Sequence, residues 1–170
     1  MSAVCTASGM SLAFGDYYAT IDRATGASTP DIAIMTLAGD ICAVGELKVP
    51  WIQEHKLQKA IDKEDKLEHL RHILGQVAQY MKEGELKYGF ITNYDETMFL
   101  KQEYYNERWV LFHSEPVRSG AKFNDCTADG ADPEITLRQA FWHLLACIQR
   151  EYKAANTMPP TAWTMPQRSL

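Results

Sequence analysis

The chain has 170 residues, of which 46% are hydrophobic and 23% charged, a size and composition that predict one globular domain with a substantial core. Its 17 Lys and Arg against 22 Asp and Glu give a formal net charge of −5, so it lacks the positive field of a protein that grips many phosphates. No uninterrupted apolar stretch approaches about 18 residues, so we expect no segment that spans a membrane.

The first 15 residues, rich in Ala, Ser and Gly, are a weak helix candidate, and residues 16–25 are predicted to form the first strand. No basic segment precedes an apolar block at the N-terminus, so secretion is not indicated. The four cysteines are scattered singly, which predicts neither a zinc site nor a disulfide framework. We therefore expect a cytoplasmic or nuclear protein.

Two apolar runs, residues 32–37 and 41–44, flank a Gly39-Asp40 turn and predict a hairpin of strands covered on both faces. Asp31 opens the first run, and Glu46-Leu47-Lys48 closes the second. Because residues two apart share a strand face, the Glu46 carboxylate and the Lys48 amine should lie near Asp31 at one opening. Oxygen ligands from two carboxylates suit a hard cation such as magnesium. Short motifs of this kind also occur in charged strands and turns without a site.

Residues 56–82 are predicted to form one long helix with a core-facing apolar stripe. A second stripe on the same helix contains His69, Ile73, Gln76 and Tyr80. Gln76 and Tyr80 are four residues apart and therefore adjacent on one face. Taken alone, they would be a surface amide and a half-buried aromatic side chain.

Residues 88–103 and 108–117 are predicted to supply later strands, and residues 117–134 an irregular loop that could fold over a substrate. Asp132 and Pro133 are the predicted cap and first position of a C-terminal helix that runs from Ile135 to about residue 155. The buried side of that helix is predicted to include Ile135. We predict one domain over residues 1–155 and a proline-containing tail over 156–170.

The combination of Pro30-Asp31, Glu46-Leu47-Lys48 and a helix with Gln76-x-x-x-Tyr80 resembles the PD-(D/E)XK nuclease superfamily, and within it the RecB-like pattern. The resemblance covers residues 15–113. It implies an α/β (α+β) fold with a restriction-endonuclease-like core: a mixed central sheet flanked by a long helix after the third strand and by a C-terminal helix.

In that superfamily the Asp and the Glu bind a metal and the Lys assists the attacking water. The resemblance therefore implies that Asp31 and Glu46 bind Mg²⁺ or Mn²⁺ and that Lys48 is the catalytic amine. Gln76 and Tyr80 complete the predicted catalytic set, and His69 and Trp51 are predicted to contact substrate. The implied function is a metal-dependent phosphodiesterase, or nuclease, acting on DNA or RNA.

A second hypothesis comes from another enzyme class. The sequence is also similar to a set of small fungal proteins, and some small fungal proteins make arginine-containing cyclic dipeptides from aminoacyl-tRNA. Superfamily nucleases usually begin with a helix that contributes a further acidic residue, for which this chain offers only the weak candidate in its first 15 residues. In a synthase, Asp31 and Glu46 would bind a guanidinium without a cofactor, and Lys48 or Tyr80 would move protons.

A third hypothesis is a non-catalytic binding module on the nuclease fold, because a fold alone does not fix a function. The amphipathic helix and the net charge permit a homodimer without requiring one. The partners expected under these hypotheses are DNA, RNA or aminoacyl-tRNA.

Overall fold

A computed structural model describes residues 9–16, 29–62, 67–122, 135–159, 162 and 166–168. The strands are β1 (Leu12–Gly15), β2 (Ile32–Thr36), β3 (Ile41–Leu47), β4 (Tyr88–Thr92), β5 (Glu96–Tyr105), β6 (Arg108–His113), β7 (Val117–Arg118) and β8 (Pro166–Arg168). The helices are α1 (Leu57–Ile61), α2 (Leu67–Glu83) and α3 (Leu137–Arg150), with a 3₁₀ turn at Gln53–His55 before α1.

The described strands form one mixed sheet in the order β1-β2-β3-β4-β5-β6-β8, and β7 pairs with β5 outside this path. The pairings of β3 with β4 and of β6 with β8 are parallel, and the others are antiparallel. The chain crosses from β3 to its parallel neighbour β4 through α1 and α2, as a parallel pairing requires. The predicted α/β class is therefore confirmed, with a mixed central sheet, a long helix after the third strand and a C-terminal helix.

Helices cover both faces of the sheet because alternate residues of the central strands point to opposite sides. On one face, buried residues such as Val44 pack with Leu74 and Val77 of α2. On the other face, Ala43 and its neighbours pack with Leu144 of α3. The predicted hairpin with both faces covered is thus confirmed in β2 and β3, and Glu46 shares the α2 face with Val44.

The N-terminal predictions have two outcomes. The expectation of a weak helix before residue 15 is wrong at Leu12–Gly15, which forms β1 and pairs antiparallel with β2. Pairing with an existing strand supplies the hydrogen bonds that a short segment of low helix propensity could not form alone. Apart from Asp16, the predicted strand at 16–25 lies outside the described residues.

Both helix predictions need correction at their boundaries. Where one helix was predicted over 56–82, α1 ends at Ile61 and α2 begins at Leu67, with residues 63–66 outside the described part. The C-terminal helix begins at Leu137, where the Thr136 side chain and Gln139 form a reciprocal capping box. It ends at Arg150, and Ile135 is 47% exposed where burial was predicted.

The predicted loop and tail both contribute strands to the sheet. Val117–Arg118, at the start of the predicted loop, forms β7, and residues 123–134 with the predicted Asp132 cap lie outside the described residues. In the tail, Asn156 is buried and donates to the amide oxygen of Gln102, and β8 pairs with β6. The division into a domain and a tail at residue 155 stays a prediction. None of the described helices has the length and apolar character needed to cross a membrane.

Gly45 of β3 pairs with Phe90 of β4, and the absence of a side chain at this position leaves room for the Phe90 ring next to Glu46. A Cβ atom at Gly45 would lie 2.2 Å from Cζ of the buried Phe90 ring. We expect Gly45→Ala to lower the free energy of unfolding by about 1–3 kcal/mol, because a packed core cannot absorb the extra atom without strain. Urea denaturation measures this change.

The matched control is Gly75→Ala in α2, where an added Cβ meets nothing within 4 Å. Alanine favours the helix over glycine by up to about 1 kcal/mol, so the control should be neutral or stabilising. A Gly45→Ala protein as stable as the wild type would contradict the described contact with Phe90.

Candidate active site

The two predicted carboxylates lie at the open end of the β2–β3 hairpin. Ile32 pairs with Gly45, and continuing this register by one residue places Asp31 opposite Glu46. The Leu47 backbone N–H donates to Asp31 Oδ2 over 2.8 Å, which fixes that carboxylate at the end of β3. Asp31 is exposed, whereas Glu46 is only 6% exposed. The hairpin therefore brings together one exposed and one buried carboxylate.

The Lys48 amine connects the hairpin with helix α2. Its Nζ donates to Glu46 Oε1 over 3.0 Å and to Gln76 Oε1 over 2.8 Å. Its backbone N–H donates to the Thr92 carbonyl over 2.8 Å, so the chain beyond β3 follows β4. The Lys48 side chain is 19% exposed. The amine is therefore held at a defined position and is still within reach of the surface.

Gln76 and Tyr80 extend this contact into a directed chain of hydrogen bonds. Gln76 Nε2 donates to the Tyr80 hydroxyl over 2.6 Å, and that hydroxyl donates to the Thr29 carbonyl over 3.1 Å. Tyr80 is 1% exposed. The predicted adjacency of the two side chains on one helix face is confirmed. The chain of bonds joins α2 to the segment that immediately precedes Asp31.

Glu46 has an unusual electrostatic environment. Burial raises the pKa of its carboxyl, and the hydrogen bond and positive charge of Lys48, together with the nearby Tyr80 hydroxyl, only partly oppose that rise. Asp31 raises it further by like-charge repulsion. Among the described residues, nothing donates a hydrogen bond to Glu46 Oε2, although that oxygen is buried. A buried oxygen without a donor is costly, and this one suits a cation or a donor on a ligand.

The phenol of Tyr80 responds to the same environment. Burial raises its pKa, the hydrogen bond with Gln76 lowers it, and the negative charges of Glu46 and Asp31 raise it again. Tyr80 therefore stays protonated and able to donate. The phenol therefore lies close enough to both carboxylates for their charges to affect its pKa.

An open cleft of about 710 Å³ adjoins Lys48 and Gln76 along α2. Its lining includes Lys48, Glu54, His55, Glu68, His69, Arg71 and His72. The predicted contact His69 lies in this cleft, where its Nε2 is 2.9 Å from the Glu54 carbonyl. The predicted contact Trp51 lies outside the lining and is 77% exposed. Substrate binding by either residue stays a prediction.

The carboxylates offer a donor set that fits a single hard cation. Asp31 and the unpaired Oε2 of Glu46 would supply oxygen ligands, and Mg²⁺ commonly completes its shell with water and phosphate oxygens. The described part of the chain contains no group of three or more His, Cys, Asp or Glu side chains arranged to hold a metal. Among the described residues, Asp31 and Glu46 are therefore the ligands that a cation here would use.

Sequence reasoning did not single out His55 or Arg71, which line the cleft. His55 lies in the 3₁₀ turn before α1, and its approach to α2 depends on how the intervening chain folds. Arg71 lies between His69 and His72 on α2, where a charged side chain is ordinarily a solvent-facing one. The only available signal was this concentration of basic and imidazole groups within four residues.

Comparison with known proteins gives one structural match. No family model and no curated protein matches the sequence. The solved structure of the type IIG restriction endonuclease BpuSI is similar with a TM-score of 0.34 and 14% sequence identity. The match covers 88% of this chain and 14% of that protein, so this chain spans a small part of its length. We therefore base the function on the geometry of the site.

The raised pKa of Glu46 predicts how stability depends on pH. The folded protein holds this proton more tightly than the unfolded chain, so the stabilisation is complete below the ordinary glutamate pKa and is lost as pH rises through the raised value. Relative to Glu46→Gln, the wild-type free energy of unfolding should therefore fall as pH rises across that window. Urea denaturation of both proteins in metal-free buffer between about pH 4 and pH 8 measures this difference.

Glu107→Gln, at an exposed turn, is the control for loss of a carboxylate in general. If the difference in stability between wild type and Glu46→Gln did not change with pH, the described burial of Glu46 would be wrong.

Proposed function

We propose that this protein is a metal-dependent phosphodiesterase, or nuclease, that cuts DNA or RNA with Asp31, Glu46 and Lys48. The observation that carries the proposal is the position of the Lys48 amine, between Glu46 Oε1 at 3.0 Å and Gln76 Oε1 at 2.8 Å. The amine thus sits beside the buried Glu46 carboxylate, whose Oε2 has no donor among the described residues. The sheet and helix order also supports it, because this is the arrangement implied by the PD-(D/E)XK resemblance.

Asp31 and Glu46 would hold the Mg²⁺ ion. When bound, Mg²⁺ acts as a Lewis acid that polarises the phosphoryl group and favours ionisation of water near neutral pH. Lys48 contributes an ammonium whose direction is already set by Glu46 and Gln76. A preorganised positive charge of this kind stabilises the charge that develops on the phosphoryl oxygens in the transition state.

Gln76 and Tyr80 are positioning residues in this proposal. Gln76 accepts from Lys48 and donates to Tyr80, and Tyr80 is anchored on the Thr29 carbonyl. One chain of hydrogen bonds therefore fixes the amine relative to the segment that carries Asp31. Small displacements of catalytic groups reduce rates strongly, so this anchoring supports the assignment of Lys48 as the catalytic amine.

A second candidate is the tRNA-dependent synthase of arginine-containing cyclic dipeptides. The observation that favours it is the lack of a third metal-ligating group beside Asp31 and Glu46 in the described part of the chain. Two carboxylates, one of them buried, can accept the N–H groups of a guanidinium through charge-assisted hydrogen bonds. In that case the two residues would recognise the arginyl group, and Lys48 or Tyr80 would transfer protons during amide formation.

The test compares wild type with Lys48→Met and Asp31→Asn in a magnesium-dependent cleavage assay on labelled DNA and RNA. Loss of a preorganised charge typically lowers kcat about 100- to 1000-fold, and we expect at least that reduction in both variants. Lys59→Met, which removes an exposed lysine on α1, should cleave like the wild type. Chelation of magnesium should abolish cleavage, and its addition should restore it.

The same purified proteins, incubated with charged tRNA, distinguish the second candidate by mass spectrometry of small products. An arginine-containing cyclic dipeptide that forms in chelator and is lost in Asp31→Asn would establish the synthase and overturn the nuclease. Cleavage that survives in Lys48→Met would show that the site is wrongly assigned. A folded protein with neither activity would be the binding module.

A further inference from the structure

Two large aromatic side chains are exposed at the end of the sheet where the candidate active site lies. Trp51 is 77% exposed and Tyr94 is 84% exposed. Trp51 follows β3 and Tyr94 follows β4, and the hydrogen bond from Lys48 N–H to the Thr92 carbonyl holds the two following segments side by side. Because β3 and β4 are parallel neighbours, both aromatic residues lie at the end of the sheet at which Lys48 lies.

The segment that carries Trp51 is anchored at several points. His55 Nδ1 lies 3.2 Å from the Val49 carbonyl, and His69 Nε2 lies 2.9 Å from the Glu54 carbonyl. The buried Asn93 donates to the His55 carbonyl over 2.7 Å. Trp51 is thus exposed on a segment whose backbone is held on both sides of it, which limits the backbone freedom that binding would cost.

Tyr94 is held in a conformation that side chains rarely adopt. Its φ is 77°, in the left-handed region that favours glycine or asparagine. The Tyr94 N–H donates to Thr92 Oγ1 over 3.3 Å. Asn93 Oδ1 accepts from the backbone N–H groups of Asp95 and Glu96. This conformation forms the tight turn between β4 and β5 and leaves the aromatic ring exposed to solvent.

The charges near the site are too few and too balanced to grip a duplex by its phosphates. Among the described residues that line the cleft beside Lys48, Lys48 and Arg71 are fixed cations, and Glu54 and Glu68 are carboxylates. The whole chain carries a net charge of −5. A nucleic acid bound here must therefore gain much of its affinity from contacts other than phosphate neutralisation. Stacking of unpaired bases on aromatic rings is such a contact.

We infer that the substrate is a nucleic acid with unpaired bases, which stack on Trp51 and Tyr94 while the adjoining phosphate reaches Lys48. This inference rests on the proposed function and narrows its substrate class to single strands, loops or ends. In a duplex the base faces are already stacked on one another, so the two rings would have no surface to bind. The substrate is selected by its accessible bases, and the few charges at the site orient it.

The test is binding of a fluorescent single-stranded oligonucleotide and of the matching duplex in chelator, where cleavage cannot occur. Single strands should bind at least tenfold more tightly than the duplex. Trp51→Ala and Tyr94→Asn should each weaken single-strand binding by roughly 5- to 150-fold, the range for loss of one stacked base. Asparagine keeps the left-handed conformation accessible at residue 94, and Trp51→Phe should retain most of the affinity because it keeps a ring.

Tyr105→Ala is the matched control. Tyr105 is 52% exposed and is the last residue of β5, at the end of the sheet opposite the candidate active site. It should bind like the wild type. Salt titration provides a second readout: a substrate with about one or two phosphate contacts gives a shallow dependence of affinity on salt. Equal affinity for duplex and single strand, a steep salt dependence, or unchanged binding in both aromatic variants would overturn the inference.

The inference and the proposed function can fail separately. Cleavage of duplex DNA that is lost in Lys48→Met but unaffected in Trp51→Ala would uphold the nuclease and overturn the stacking surface. Single-strand binding that depends on Trp51, without cleavage of any nucleic acid, would uphold the surface and overturn the nuclease.

Discussion

The buried carboxylate of Glu46 is the constraint around which this end of the molecule is organised. A charge at a nearly buried position is unfavourable unless a counter-charge or a ligand compensates it, and Lys48 compensates one of its two oxygens. Lys48 in turn donates a hydrogen bond to Gln76, Gln76 donates to Tyr80, and Tyr80 donates to the Thr29 carbonyl. One chain of hydrogen bonds from α2 therefore supports the position of Lys48. Glu46 Oε2, which is buried and has no hydrogen-bond donor among the described residues, is the feature that a purely structural role does not explain.

The sheet makes this arrangement possible because its two faces are packed differently. The α3 face is closed by aromatic packing, in which Phe141 lies edge-on to Phe14, Phe90 and Phe99 at ring-centroid distances of 5.6, 5.1 and 5.0 Å. The α2 face is apolar under most of the helix, with buried polar side chains at Glu46 near the end of β3 and at Gln102 of β5, which donates to the Leu86 carbonyl. A rigid, well-packed sheet thereby holds a small polar opening whose groups keep fixed positions.

Much of the central fold could be predicted because apolar runs and helical spacing are local properties. The runs before and after Gly39 specify a covered hairpin, and a spacing of four residues makes Gln76 and Tyr80 neighbours wherever the helix packs. The predictions that were wrong depend on tertiary contacts or on competing local signals. Strand β1 exists because it pairs with β2, and α3 begins at Leu137, after a capping box at Thr136, rather than at Ile135.

The site was predictable only in part, for a related reason. Residue pattern placed Asp31, Glu46 and Lys48 at one opening, but it could not show that Lys48 bonds to Gln76 rather than to solvent, because that depends on the rotation of α2. Nor could it show that Trp51 and Tyr94 lie at the same end of the sheet, since this follows from the parallel pairing of β3 with β4. The roles of these residues in catalysis and binding remain predictions.

Titration with Mn²⁺ monitored by electron paramagnetic resonance shows directly whether Asp31 and Glu46 form a divalent-cation site. We expect the wild type to bind a single Mn²⁺ ion, which Mg²⁺ displaces. This binding should be lost in Asp31→Asn and retained in Asp62→Asn, a control at the end of α1. Equal Mn²⁺ binding in wild type and Asp31→Asn, or none in the wild type, would contradict the account.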